Sequence, residues 1–389
     1  MRDVVIVEAV RTPMGKRNGG LSGTHPVTLG AQVLREVVSR AGISPDNVED
    51  VVYGCVSQVG EQTGNVGRLV VLAAGFPITI PGATVDRQCG SAQAAIHFAA
   101  NLVQAEVADV VVGGGVESMS RIPMGSSFVQ GQFGSPWPAE VLEAFPDEGL
   151  RNQGLAAEEI AKRWGISRDD ADAFGVLSQS RAAAAREAGH FQKEITPVNV
   201  TIEGVEGVIS QDEGIRPGTT LEALATLKPS FRPDGILHAG NSSQITDGAA
   251  AVLLMSAEKA KELGVKPRAR IVKQLVVGSD PELMLTGPIP ATRQILAKAG
   301  LTLDQIDRVE INEAFAPVVL AWEKELGPDM HKVNVCGGAV ALGHPLGATG
   351  ARLMTTLLHE LERSGGRYGL QTMCCGGGLG TATIIERLD

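Results

Sequence analysis

The chain has 389 residues, a formal charge of −10, an aromatic share of 4% and no basic run. That balance argues against nucleic acid as a main partner, and no apolar stretch reaches the ~18 residues of a membrane span. The five cysteines, Cys55, Cys89, Cys336, Cys374 and Cys375, are odd in number and irregularly spaced, with neither CxxC nor HExxH; this argues against a disulfide framework and a zinc site.

In chain order, "MRDVVIVEAVRTP" reads as a strand and turn rather than a charged-then-apolar leader, and the expected compartment is the cytoplasm. Residues 41–54, "AGISPDNVEDVVYG", then give a helix end, a polar turn and an apolar strand. "CGSAQAAIHFAANLVQAEV", from Cys89, is an amphipathic helix pattern, and "ADVVVGGG" closes at Gly115 as a buried strand. The same series returns later as "AGLTLDQIDRVEIN" (299–312), "GATGARLMTTLLHELERSG" from Gly347, and "YGLQTMCCGGG" ending at Gly378. A unit repeated once at this spacing predicts two similar α/β halves with mixed sheets, not a solenoid. Residues 118–244 have a different character, with two helical patterns and glycine-rich loops, and read as an inserted loop domain. The first half is then residues 1–117 with 245–267, the run "GAAAVLLMS" returning the chain to it, and the second half is 268–389.

The polar residues fall at equivalent ends of the repeat. Cys89 opens a helix, where the dipole is expected to favour its thiolate. His344 stands just ahead of the matching helix, and Asn312 and Glu313 end a strand of the second half. If the halves pack face to face, Cys89, His344, Asn312 and the Cys374/Cys375 pair converge at strand ends. Each residue alone also fits a quieter role: a buried cysteine, a structural histidine, a turn asparagine. The other histidines lack comparable surroundings, and "GGGVESM" fits neither a P-loop nor GxGxxG.

Together, "DRQCGS", "NEAFAP", "GGAVALGHPLGATGAR" and "MCCGGG" resemble the motifs of the thiolases, the acyl-CoA:acetyl-CoA C-acyltransferases, across essentially the whole chain. The resemblance implies the thiolase fold: two β-α-β-α-β-α-β-β halves layered α/β/α/β/α, plus a loop domain. It implies Cys89 as nucleophile, His344 as its base, Cys374 as acid/base, and Asn312 positioning a water, with the backbone N–H groups of Cys89 and Gly376 as an oxyanion hole. Cys375 then fills the variable position and packs on the other face of the strand. Arg216, Ser243, Phe231, Met284 and Phe315 are the implied coenzyme A and acyl contacts. No metal or cofactor is implied; coenzyme A is a substrate, and the partners are acyl-CoA and further copies in a homodimer or homotetramer, without nucleic acid or membrane.

The implied reaction is CoA-dependent cleavage of a 3-oxoacyl-CoA, with a biosynthetic acetoacetyl-CoA thiolase or a silent acyl-CoA- or sterol-binding relative as alternatives. Asn152-Gln153-Gly154 departs from a common His-Met-Gly, and Asp86, Ala92 and Cys336 also depart from common residues. These differences bear on substrate and subclass, while "KRNGGLSG" and "SSQITDGAAA" resemble thiolases of bacterial fatty-acid or steroid catabolism.

Overall fold

The computed structural model describes residues 2–202 and 204–388, with the side chains of residues 129, 130 and 202 left aside. The first half runs β1 (Val4–Arg11), β2 (Gly15–Lys16), α1 (Pro26–Ala41), β3 (Asp50–Gly54), α2 (Val66–Ala73), β4 (Ala83–Val85), α3 (Ser91–Gln104) and β5 (Val110–Ser118). The intervening segment carries α4 (Ala139–Ala144), α5 (Gln153–Arg163), α6 (Arg168–Glu187), the hairpin β6 (Val198–Ile202) and β7 (Val205–Ile209), and α7 (Leu221–Ala225). β8 (Thr246–Ser256) and α8 (Ala257–Glu262) follow, then β9 (Ala269–Gly278), α9 (Pro288–Ala299), β10 (Arg308–Ile311) and α10 (Ala316–Leu326). The chain ends with α11 (Ala339–Leu342), α12 (Thr349–Ser364), β11 (Tyr368–Cys375) and β12 (Leu379–Arg387).

The repeat is visible in the strand order. The first half pairs as β4-β3-β5-β8-β1 and the second as β10-β11-β12-β9. In each, the repeated strands lie parallel, β3 beside β5 and β10 beside β11, and the following strand turns antiparallel. A single parallel bridge from Val333 to Val309 stands where the first half has β4. The two half-sheets touch edge to edge at only two residue pairs, Val5 with Arg270 and Ile6 with Ala269, so they form one continuous ladder. That joint was not expected from the repeat.

Burial explains the layers. α3 and α12 are buried on most of their circumference and pack together between the half-sheets, with Ala95, Ile96, Ala99, Met354, Leu357 and Leu358 against Ile6, Val252 and Leu254. α1 and α2 cover the outer face of the first half, and α9 and α10 that of the second. The result is mixed α/β, with helices outside and between the sheets, as the resemblance implied. Among the described residues no helix is long and apolar enough to cross a membrane.

Small residues let the halves close. A Cβ on Gly115 would lie 2.0 Å from the Gly347 carbonyl oxygen, and one on Gly54 2.5 Å from the same atom. The loop ahead of α12 therefore packs directly onto the paired ends of β3 and β5, and only glycine permits that approach.

Candidate active site

Cys89 sits one residue before Gly90, the N-cap of α3, at the end of a turn in which Gln88 has φ 50°. A non-glycine residue in the left-handed region costs about 1–3 kcal/mol and is held by its surroundings. Here the Ser91 hydroxyl donates to the Gln88 carbonyl and accepts from the Arg87 N–H. The thiol is 1% exposed. Burial pushes its pKa up to about 11, while the Gly376 N–H, the Cys89 N–H and the Gln153 amide pull it back down. The helix position was expected to favour the thiolate; burial acts in the opposite direction and is the larger influence.

The cysteine pair ends β11, and the side chains have different neighbours. Cys374 belongs to a cluster with Met284, Leu285, Ala314, Phe315 and the Ala156–Ala157 face of α5. Cys375 lies against Gly90, where a Cβ would come 2.5 Å from its sulfur, and it interacts with the Thr381 hydroxyl. Burial pushes both thiols well up, and the charge of a Cys89 thiolate adds to each shift. Strand alternation separates their packing, yet both remain within electrostatic reach of Cys89.

His344 follows Gly343 in the loop between α11 and α12. Its backbone N–H donates to Thr246 Oγ1 at 3.0 Å, and the ring is fixed on both sides. Nδ1 lies 2.6 Å from Thr349 Oγ1, whose own proton goes to the Pro345 carbonyl at 2.8 Å. A hydroxyl has one proton, so Thr349 accepts from Nδ1–H and leaves a lone pair on Nε2. Asn312 Nδ2 stands 3.3 Å from that Nε2. Burial, then the Arg352 guanidinium, hold the imidazole pKa down at about 3, so the ring is neutral at ordinary pH. Leu346, two residues on, packs in the same cluster as Cys89.

Asn312 accounts for the rest. Its N–H donates to the Thr372 carbonyl at 3.1 Å, tying the end of β10 to β11 just ahead of the cysteine pair. Its Oδ1 is buried without a protein partner, an acceptor suited to an ordered water. Glu313 points away from the reacting groups and accepts from Ser178, Asn334 and the Val340 N–H, anchoring α11 to α6.

The expected ligand contacts divide. Met284 and Phe315 are buried beside Cys374, and Phe231, 37% exposed, meets Phe315 edge-on at 5.8 Å between ring centroids. Ser243 donates its N–H to the Ala314 carbonyl at 2.9 Å, at the rim of that cluster. Arg216 has its N–H on Gln179 Oε1 at 2.7 Å and is exposed, with no contact to the thiol cluster. The cysteines are buried, whereas Gln88 and Gly377, each next to a site residue, are exposed.

Sequence reasoning missed Thr349, Gln153 and Glu117. The buried Glu117 carboxylate accepts from Val56, Ser57, Gln62 and the Gly347 N–H at 2.7–3.1 Å, pinning the histidine loop to the first half. The spacing His344 to Thr349 was visible in "HPLGAT", but which hydroxyl meets Nδ1 depends on the loop geometry.

The thiolase N-terminal domain matches residues 4–258 and the thiolase C-terminal domain residues 265–387. A steroid 3-ketoacyl-CoA thiolase of Mycobacterium tuberculosis is 51% identical, over 100% of this chain and 95% of its own. An acetyl-CoA acetyltransferase structure from Bacillus anthracis superposes with a TM-score of 0.92 at 43% identity, covering 100% of this chain and 99% of its own. Human mitochondrial 3-ketoacyl-CoA thiolase gives 0.91 at 38% identity, over 100% and 99% respectively. The two family-model matches and the whole-length similarity agree: the chain belongs to the thiolase family of acyltransferases.

Proposed function

We propose that the chain catalyses thiolytic cleavage of a 3-oxoacyl-CoA to acetyl-CoA and a shortened acyl-CoA, through an acyl group on Cys89. The observation that carries this reading is the meeting of the Cys89 turn, from the first half, with the end of β11, from the second: a Cβ on Gly376 would lie 3.2 Å from Gln88 Cγ and one on Gly90 2.5 Å from Cys375 Sγ, with Cys89 and Cys374 0–1% exposed.

His344 Nε2 takes the proton from Cys89 Sγ as the sulfur attacks C3 of the substrate. The C2–C3 bond breaks with its electron pair on C2, and the Cys374 S–H delivers a proton there, releasing acetyl-CoA. Incoming coenzyme A then gives its thiol proton to the Cys374 thiolate, and its sulfur takes the acyl group. The Cys89 C–S bond breaks, and His344 returns the proton to Cys89. This divides one difficult step into two.

The backbone N–H groups of Cys89 and Gly376 face the oxygen of the Cys89 adduct, and a donor of this kind is worth about 10²–10³ in rate. His344 and a water on Asn312 Oδ1 hold the enolate oxygen. With a thiol near 11 and an imidazole near 3, the charged pair forms only as substrate engages.

The 51% identical relative is named a steroid thiolase, and Phe231, Phe315 and Met284 offer an apolar lining, which together favour a bulky or ring-bearing acyl group over acetoacetyl-CoA. Ser243 lies along the pantetheine arm and Arg216 near the nucleotide. A cytoplasmic homodimer or homotetramer completes the reading. Cleavage rates with coenzyme A across acetoacetyl-CoA, long linear and ring-bearing 3-oxoacyl-CoAs test it; a preference for acetoacetyl-CoA contradicts the degradative assignment.

A further inference from the structure

Outside the thiol site, Asp172 on α6 and His238 and Asn241 on the segment entering β8 form a buried polar cluster. The Gly240 N–H donates to His238 Nδ1 at 3.0 Å, so that nitrogen carries a lone pair and the ring proton sits on Nε2. Nε2 gives it to Asp172 Oδ1 at 2.7 Å. Asn241 directs its two amide protons to the same Oδ1 at 2.8 Å and to the Ile236 carbonyl at 3.0 Å, and its own Oδ1 accepts the His238 N–H at 2.9 Å. Arg168 donates to the other carboxylate oxygen at 2.8 Å and to the Leu224 carbonyl, also at 2.8 Å. Gly175, one turn along α6, lets the segment lie against the helix, since a Cβ there would be 2.3 Å from the Gly240 carbonyl oxygen.

The cluster holds the stretch of chain that borders the site. The Asn241 carbonyl accepts the Ala316 N–H at 2.9 Å, Ser242 bridges Phe315 in antiparallel fashion, and the Ser243 N–H donates to the Ala314 carbonyl at 2.9 Å. Ser242 Oγ is buried with no hydrogen-bond partner among the described residues, so this stretch is held by its backbone and by the cluster at its start. We infer that Asp172, His238 and Asn241 are positioning residues for substrate binding: their shared hydrogen bonds fix residues 241–243 against Phe315, and with them the wall along which the pantetheine arm and acyl group lie. The inference rests on the ligand contacts proposed for Ser243 and Phe315. His344 has its own anchors in Thr246 and Thr349, and Asn312 in Thr372. Loosening the cluster therefore weakens binding of ground and transition states alike and leaves the chemical step in place.

The test is steady-state kinetics with coenzyme A and a 3-oxoacyl-CoA, with Tm measured alongside, for the wild type, His238→Leu, Asp172→Asn and His238→Gln. Leu keeps the bulk without either ring hydrogen bond, Asn keeps the shape without the charge that three side chains share, and Gln keeps a donor for Asp172. H238L and D172N should raise both Michaelis constants about fivefold to tenfold with kcat within about twofold, and H238Q should return them to within about twofold of the wild type. A merely structural role lowers Tm in H238L and D172N with the Michaelis constants unchanged, and that outcome overturns the inference. So does an H238Q as impaired as H238L. Should H238L fail to fold, D172N gives the same reading. Ser243→Ala and Phe315→Leu separate the two ways of failing. Unchanged Michaelis constants in both remove the ligand contacts and this inference with them; constants raised there but not in H238L or D172N remove the cluster's role alone.

Discussion

The Thr349 hydroxyl accepts the Nδ1 proton of His344 at 2.6 Å while giving its own to the Pro345 carbonyl, and this chain fixes which imidazole nitrogen is basic. Replacing Thr349 with Val keeps the shape but leaves Nδ1–H buried and unpaired. Leaving a buried donor without a partner costs about 1–3 kcal/mol, equivalent to roughly 10–100-fold in rate. We expect T349V to lower kcat within that range with little change in the Michaelis constant for coenzyme A. T349S, which keeps the hydroxyl, should recover most of it in steady-state assays.

The two neighbouring thiols should behave differently. Cys374→Ala removes the proton donor proposed for C2 and is expected to lower turnover by more than about 10²-fold, within the range of general acid–base catalysis. Cys375→Ala deletes a packing contact against Gly90 and should lose less than about tenfold in activity while lowering Tm, since it leaves a small cavity. A loss in C375A as deep as in C374A, measured side by side, would reverse the assignment within the pair.

Glu117 holds the histidine loop without touching the reaction. Its carboxylate receives four N–H donors, from Val56, Ser57, Gln62 and Gly347. Glu117→Gln turns one oxygen into a donor facing those N–H groups and should cost about 3 kcal/mol, since bonds to a charged acceptor are worth about 1.5–3 kcal/mol each. Urea denaturation checks the value. A midpoint equal to the wild type's would mean the loop is anchored by other contacts.

His97 offers a clean pH test away from the reaction. Burial, then Arg87, hold its pKa at about 3, and its Nε2 lies 2.8 Å from Thr383 Oγ1. The unfolded chain protonates near the ordinary 6.5 while the folded protein stays neutral, so this group lowers stability as pH falls from about 6.5 toward 3. His97→Asn removes that proton uptake. Between pH 6 and 4 its stability should fall less steeply than the wild type's, by about 1.4 kcal/mol per pH unit. Parallel slopes would show that His97 is protonated in the folded state.

Much of this was written in the sequence because the chemistry sits at ends of repeated elements. Residues 41–54 and 299–312 became the same helix end, turn and strand, and Cys89, Asn312 and the cysteine pair fell at strand and helix termini. What stayed hidden depends on tertiary distances. The edge contact of β1 with β9 spans two residue pairs and leaves no pattern. Burial of Cys89 reversed the pKa shift that its helix position suggested. Asn152-Gln153-Gly154 read only as a departure from a common motif, and only the position of α5 shows the Gln153 amide standing beside Gly376.

The central claim is covalent, and intact-protein mass spectrometry tests it with no coenzyme A added. Incubated with a 3-oxoacyl-CoA, the protein should gain one acyl group per chain, mapped by peptide mass to Cys89, and release one equivalent of acetyl-CoA. Turnover without an acylated protein, or an acyl group found on Cys374 or Cys375, contradicts it.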